Sequence, residues 1–159
     1  MFVSSTRLDH CSAGISSTNQ TFEIFIYGGY NNNRLGPQST QYDDIHILTL
    51  PAFHWIRVPY KAQYPRMGHT CTPIGGSQIL VLGGSDASVD NSTAHDPKDQ
   101  GRDVYWKQLQ NAMATPDQRK LGIGIFELST LAWREGFDAE AREYTQSDDV
   151  QQYYQQAGR

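Results

Sequence analysis

The chain has little with which to staple, span or charge itself. Two cysteines among 159 residues, Cys11 and Cys71, are too few for a disulfide scaffold. Neither has a second Cys or His beside it at metal-ligand spacing. Both are expected to be small thiols buried in strands, after the habit of free cysteine. No run of about 18 apolar residues occurs, so no part of the sequence reads as a membrane-spanning helix. The opening "MFVSSTRLDH" has neither the basic start nor the apolar stretch of a secretory leader. Read as complete, the chain is expected to stay in the cytosol. A basic excess is missing too. The balance of 13 Lys and Arg against 17 Asp and Glu leaves a net charge of -4, which argues against a nucleic-acid surface. Gly-x-Ser-x-Gly and the Walker phosphate loop are both absent from the sequence.

What is present is ordered and repetitive. An aromatic share of 11% argues against general disorder, and the length suits one average domain or part of a larger one. "FEIFIYGGY" (22–30) returns as "QILVLGGSD" (78–86), placing Gly28-Gly29 and Gly83-Gly84 55 residues apart. Arg7-Leu-Asp-His10 precedes the first run and Arg66-Met-Gly-His69 the second. Each unit closes on a further matched segment: "DIHILTLPAFHW" ends at Trp55 and "GIGIFELSTLAW" at Trp133. The signals within each unit run Arg-x-x-His, strand, turn, strand, Gly-Gly, loop, strand, turn and Trp. That sequence predicts four short strands per unit, joined by turns rather than helices.

Alternation along Phe22–Tyr27 puts Phe22, Ile24 and Ile26 on one face and Phe25 and Tyr27 on the other. The run Ile79–Leu82 is apolar on both faces. A strand apolar on both sides has to be covered on both sides. Small four-stranded sheets stacked face to face around an axis achieve this, so the expected fold is all-β, a β-propeller. The paired glycines are expected to end the second strand of each blade, taking positive φ and admitting close backbone.

These residues resemble the kelch repeat. Arg7, His10, Gly28, Gly29, Tyr42, Asp44 and Trp55 fit it in the first unit, and Arg66, His69, Gly83, Gly84 and Trp133 in the second. The texture of the second unit is similar to the kelch proteins of filamentous fungi. The resemblance covers about residues 7–144 and implies a propeller that ordinarily continues into a membrane segment and tail. It therefore implies a secretory or membrane-anchored setting, against the cytosolic one read from the N-terminus. Two N-glycosylation sequons, at Asn19 and Asn91, add weak support for the secretory route.

The pattern departs from the family in two ways. Gly29 to Trp55 spans 26 residues and Gly84 to Trp133 spans 49, a surplus of 23. Most of it lies in 102–121, which has no counterpart in the first unit. Three readings of that segment stay open: a short amphipathic helix on one face, a disordered loop, or 20 codons of unspliced intron. The second departure is the blade count. Propellers close with about four to eight blades, and stacked repeats need at least about three to bury a continuous core. Two blades would leave apolar faces and edges open. The expectation is a fragment, or a subunit that completes its ring with further blades or by self-association. The expected divisions are blade one at 1–61, blade two at 62–137 with the insertion 102–121, and an acidic Gln/Tyr-rich tail at 138–159. The tail is expected to be a solvated end, with Ser147, Asp148 and Asp149 capping a short helix over 150–156.

Chemistry is not expected. His10 and His69 occupy equivalent repeat positions and Arg7 and Arg66 do likewise, so structural hydrogen bonding explains all four. His46 and His54 read as exposed strand residues. No catalytic, metal-binding or cofactor-binding residue is assigned, and no cofactor is expected. The leading function is a non-catalytic protein-binding or scaffold module whose protein partner the sequence does not name. Its candidate contact is the loop Tyr30, Asn31, Asn32, Asn33 and Arg34, with an aromatic, amides and a cation on a rigid frame. A copper propeller oxidase of the galactose-oxidase sort is the alternative, and a non-functional gene remnant a third. The oxidase needs a Tyr/His/Cys set in one place. Cys11 and Cys71 fall one and two residues after their histidines, so they are expected to face opposite sides and stay apart.

Overall fold

The computed structural model describes residues 6–31, 40–59, 65–85 and 122–157. Two four-stranded antiparallel sheets carry the chain. The first joins β1 (Cys11–Ser16), β2 (Phe22–Tyr27), β5 (Ile45–Leu50) and β6 (His54–Arg57), in that spatial order. The second joins β7 (Met67–Gly75), β8 (Gln78–Ser85), β9 (Ile123–Glu127) and β10 (Ala132–Arg134). A two-stranded ribbon of β3 (Tyr30–Asn31) and β4 (Thr40–Gln41) follows the first Gly-Gly, and one helix, α1 (Asp148–Ala157), lies in the tail. No helix among the described residues is long and apolar enough to cross a membrane. The insertion 102–121 lies outside the described residues, as do Asn32, Asn33, Arg34 and Asn91.

Local chemistry sets the turns. Between β1 and β2, the Ser17 hydroxyl oxygen accepts from the N–H groups of Asn19 (3.2 Å) and Thr21 (3.3 Å), a side chain standing in for a backbone turn partner. The paired glycines adopt nearly the same conformation in both blades: φ is 67° and 87° at Gly28 and Gly29, and 70° and 85° at Gly83 and Gly84. Only glycine takes such angles without strain. Space matters as well, since a Cβ on Gly28 would strike the carbonyl oxygen of Arg66. The Gly29 N–H donates to that same carbonyl at 2.7 Å. Strand β2 ends where the start of the second blade passes over it.

Register assigns the faces. Pairing of Cys11 with Tyr27, Ala13 with Phe25, Tyr27 with Ile45 and Phe25 with Ile47 puts these six residues on one face of the first sheet. On the second sheet, His69, Cys71, Ile79, Val81, Phe126 and Trp133 share a face. These two faces pack together. Phe25 meets Phe126 (ring centroids 5.3 Å), and Tyr27 meets both Trp133 (5.1 Å) and His69 (4.9 Å). Phe25, Ile45, Ile47, Ile79, Val81, Phe126 and Leu128 are wholly excluded from solvent, so the core of the molecule is the seam between blades. Burying each such side chain stabilises the fold by about 1.5–3 kcal/mol against leaving it exposed.

Three expectations are corrected. Cys11 and Cys71 are not separate thiols but a disulfide across the seam, with Cα atoms 5.4 Å apart. They do point to opposite sides of their repeat units. In stacked sheets, however, the back of one blade faces the front of the next, so opposite faces are the ones that meet. His46 is buried rather than exposed, enclosed by Arg7, Asp44 and Trp55. His54 is only part-exposed and stacks on Tyr153 at 3.7 Å.

The tail is not a solvated end either. It runs back beneath both blades. The Gln78 amide pairs with the Asp138 backbone in both directions (2.7 and 3.0 Å), and the Thr18 N–H donates to the Tyr144 carbonyl at 3.1 Å. Gln146 accepts from Asn19 (3.1 Å) and donates to Thr21 (2.8 Å). From α1, Tyr154 shares a hydrogen bond of 3.1 Å with Thr49, and Val150 is fully buried. Asp148 and Asp149 occupy the first turn of α1, where the helix dipole favours negative charge.

Candidate functional site

Three places in the described residues could bear on function: a charged cluster at the Gly-Gly end of the first blade, the loop entered at Tyr30, and the seam around the disulfide.

The charged cluster is built on strand ends. Arg7 precedes β1 and is buried, donating to the Gly28 carbonyl (3.0 Å) and to Asp44 Oδ1 (2.9 Å), with its guanidinium 4.4 Å from the Tyr42 ring centre. The second Asp44 oxygen stands 3.1 Å from His46 Nε2. Arg7 Nη2 lies 3.4 Å from His46 Nδ1. A guanidinium only donates, so Nδ1 accepts and Nε2 carries the proton turned toward Asp44. Burial alone would raise the Asp44 carboxyl. The hydrogen bonds from His46 and Arg7, with the charge of the Arg7 guanidinium beside them, overrule it and hold Asp44 well below the usual carboxylate range. Arg7 and Asp44 bind each other within the cluster, and the guanidinium is spent on tying the Gly28 turn to the start of β5. This is a structural lock of the blade.

The equivalent residues of the second blade have diverged. Arg66 is buried and donates to the Gly122 carbonyl at 3.4 Å, glycine standing where the first blade has Asp44. His69 is buried and bonded to Tyr27, while His10 is exposed. The difference has a simple cause. The first blade covers the face that bears His69, and nothing in the described residues covers the face that bears His10. Trp133 lies in the seam, and Trp55 stands edge-on to His46 at 6.4 Å on the open side.

Of the candidate loop, Tyr30 and Asn31 are described. Tyr30 is buried and pairs with Leu8 through both backbone groups (2.9 and 3.0 Å), whereas Asn31 is exposed and its Oδ1 accepts from the Thr40 N–H at 3.1 Å. The frame of the loop is therefore anchored at its base. The Asn19 sequon sits at the exposed tip of the β1–β2 turn.

At the seam, a ring nitrogen of His69 and the sulfurs of Cys11 and Cys71 lie within 4.8 Å of one another, the group of metal-capable side chains found among the described residues. Tyr27 adjoins them, its ring against His69 and its carbonyl 3.1 Å from His69 Nε2. Sequence reasoning missed this convergence. The cue was the one-residue offset between the two cysteines, combined with the rule that successive blades stack in the same orientation.

No protein-family model matches the chain. Among curated proteins, it is 36% identical over 140 residues to a kelch repeat-containing protein of Arthroderma benhamiae, covering 84% of this chain. Its two blades are kelch repeats. It also resembles, over 54% of its length at 32% identity, a Rho GTPase-activating protein, gacHH, of Dictyostelium discoideum. Over 53% of its length it is 33% identical to acyl-CoA-binding domain-containing protein 4 of Arabidopsis thaliana. The chain spans 16% of the length of the fungal relative and 5% and 11% of the other two. The chain is thus similar to parts of proteins of different description.

Proposed function

We propose that this chain is a non-catalytic protein-interaction element of a kelch propeller, in which blades 1–61 and 62–137 are held together by the tail 138–159. The observation that carries this reading is the equivalence of covered and uncovered faces. Counting from the Gly-Gly pairs, the covered Phe25 and Tyr27 of the first blade correspond to Leu80 and Leu82 of the second, and Ile45 and Ile47 correspond to Ile123 and Ile125. Leu82 and Ile123 are 41% and 49% exposed. On the opposite end, Phe22, Ile24, Ile26 and Leu48 lie on the face that corresponds to the covered Val81 face. Phe22 there is 39% exposed. One end of the pair is shaped like the first half of the seam and the other like the second half, a head-to-tail arrangement that closes into a ring.

Further blades on those two faces complete the propeller, from the same polypeptide or from other copies. A partner protein is engaged through the candidate loop Tyr30 to Arg34, whose described residues Tyr30 and Asn31 pair with β4. Sedimentation of the purified chain tests the face argument. The expected result is concentration-dependent association that Leu82→Asp or Ile24→Asp abolishes while leaving the far-ultraviolet circular dichroism of the monomer unchanged. A chain that stays monomeric at high concentration, with no apolar dye bound to either end, would overturn it.

A further inference from the structure

We infer that Cys11, Cys71 and His69 form a site for a thiophilic d10 cation, Zn(II) or Cu(I), which replaces the disulfide as the staple between blades when the cysteines are reduced. This goes beyond the proposed interaction role and does not depend on it.

The donors come from different elements and meet in one place. Cys11 opens β1 of the first blade, and His69 and Cys71 lie two residues apart on β7, on the same face of the strand. Their ligand atoms fall within 4.8 Å of one another. Cys11 and His69 are buried, and Cys71 is partly open, which leaves a way in. Thiolate and imidazole are the donor types that select Zn(II) and Cu(I). Carboxylates, which would favour harder cations, are not among the three.

The imidazole is already oriented. The Tyr27 carbonyl oxygen can only accept, so His69 Nε2, 3.1 Å away, is the protonated nitrogen. The in-plane lone pair therefore sits on Nδ1. Metal-bound histidines are oriented in this way, by donating the other ring N–H to a backbone carbonyl. The edge of the Tyr27 ring, 4.9 Å from the imidazole, limits its rotation.

Reduction supplies the two thiolates. Two molecules of a low-molecular-weight thiol reduce the Cys11–Cys71 bond, yielding two cysteine thiols and one molecule of the reductant's disulfide. The cation then displaces two thiol protons. Bonded sulfurs lie about 2.05 Å apart, and two sulfurs around a tetrahedral ion at metal–sulfur bonds of about 2.3 Å lie about 3.8 Å apart. With Cα atoms 5.4 Å apart, side-chain rotation covers that difference without moving either strand. The fourth position is left to water for Zn(II), and three-coordination serves Cu(I). Covalent bond and cation are alternatives at one point, so the seam is closed in oxidising and reducing surroundings alike.

The test uses the full chain reduced with a phosphine, then titrated anaerobically with Zn(II) against a chromophoric chelator and, separately, with Cu(I) against bicinchoninate. The expected result is one equivalent of at least one of the two ions, about two protons released per ion, and no binding by the oxidised chain. Cys11→Ser, Cys71→Ser and His69→Asn should each weaken binding by more than the roughly 10–100-fold that loss of an outer partner costs. Because a variant can misfold, the comparison of reduced with oxidised wild type stands as a test in its own right. Neither ion binding to the reduced wild type, equal binding by the oxidised chain, or unchanged affinity in a folded His69→Asn chain would each overturn the assignment.

Discussion

Replacing Phe25 and Phe126 by alanine, singly and together, probes the seam at its centre. Both side chains are wholly buried, and their ring centroids lie 5.3 Å apart with the planes tilted by 37°. Each ring belongs to a different blade, so neither blade alone accounts for its burial. Removing one ring takes away its transfer free energy and opens a cavity, a loss of about 3–5 kcal/mol. The second removal borders a cavity that already exists, and the aromatic contact is already gone. The double variant should therefore lose less than the sum of the singles by about 1 kcal/mol, within the range of measured aromatic pairs. Equilibrium unfolding in urea reads these values, with a constant slope required before midpoints are compared. Losses of this size rival the total stability of many domains, so a Phe→Leu cycle at the same positions provides a second, gentler set. Additivity within about 0.3 kcal/mol in the Leu cycle, together with single losses under about 1 kcal/mol, would show that the rings do not share a core. The stacking of the two blades would then be wrong.

Three further predictions concern the disulfide and two buried carboxylates. The Cys11–Cys71 bond closes a loop of 60 residues, for which the loop-entropy relation gives about 4 kcal/mol; metal-free reduction should lower the unfolding midpoint accordingly, and an unchanged midpoint would refute the staple. Asp44, held below its usual range, contributes stability that is present above its unfolded value of 3.8 and is lost as pH falls through the folded value. Asp44→Asn should flatten the acid limb of a midpoint-against-pH curve. Glu23, raised by burial against the hydrogen bonds from Thr21 and Thr49, works in the other sense: its contribution is full below its unfolded value of 4.5 and is lost as pH rises through the folded one, so Glu23→Gln should raise stability above that window. An acid limb identical in the Asp44→Asn chain would remove that residue from the account.

The blade pattern was legible because it is periodic. Alternation along Phe22–Tyr27, the matched Ile45 and Ile123, and the twin Gly-Gly pairs each restate one local rule twice, and β2, β5, β8 and β9 lie where those rules put them. What was not legible depends on contacts between distant residues that leave no local trace. The ribbon of β3 and β4 consists of two residues a side, too short to show a period. The burial of His46 results from Arg7, 39 residues away, reaching across the blade. Gln78 binding the backbone of Asp138, and Gln146 reaching Asn19 and Thr21, are polar contacts over 60 and more than 120 residues. A Gln-rich tail carries no sign of them. The disulfide was misread for a different reason. Within one repeat the two cysteine positions face opposite sides, whereas the partner of each face belongs to the neighbouring repeat.

Peptide mapping of the unreduced monomer tests the central claim, that the first blade lays its Cys11 face on the Cys71 face of the second. The account predicts a single linkage, Cys11 to Cys71 within one chain, either present on isolation or formed rapidly under a mild oxidant such as diamide. Cysteines that stay unlinked under that oxidant, or that link only between copies, would contradict the stacking of the two blades.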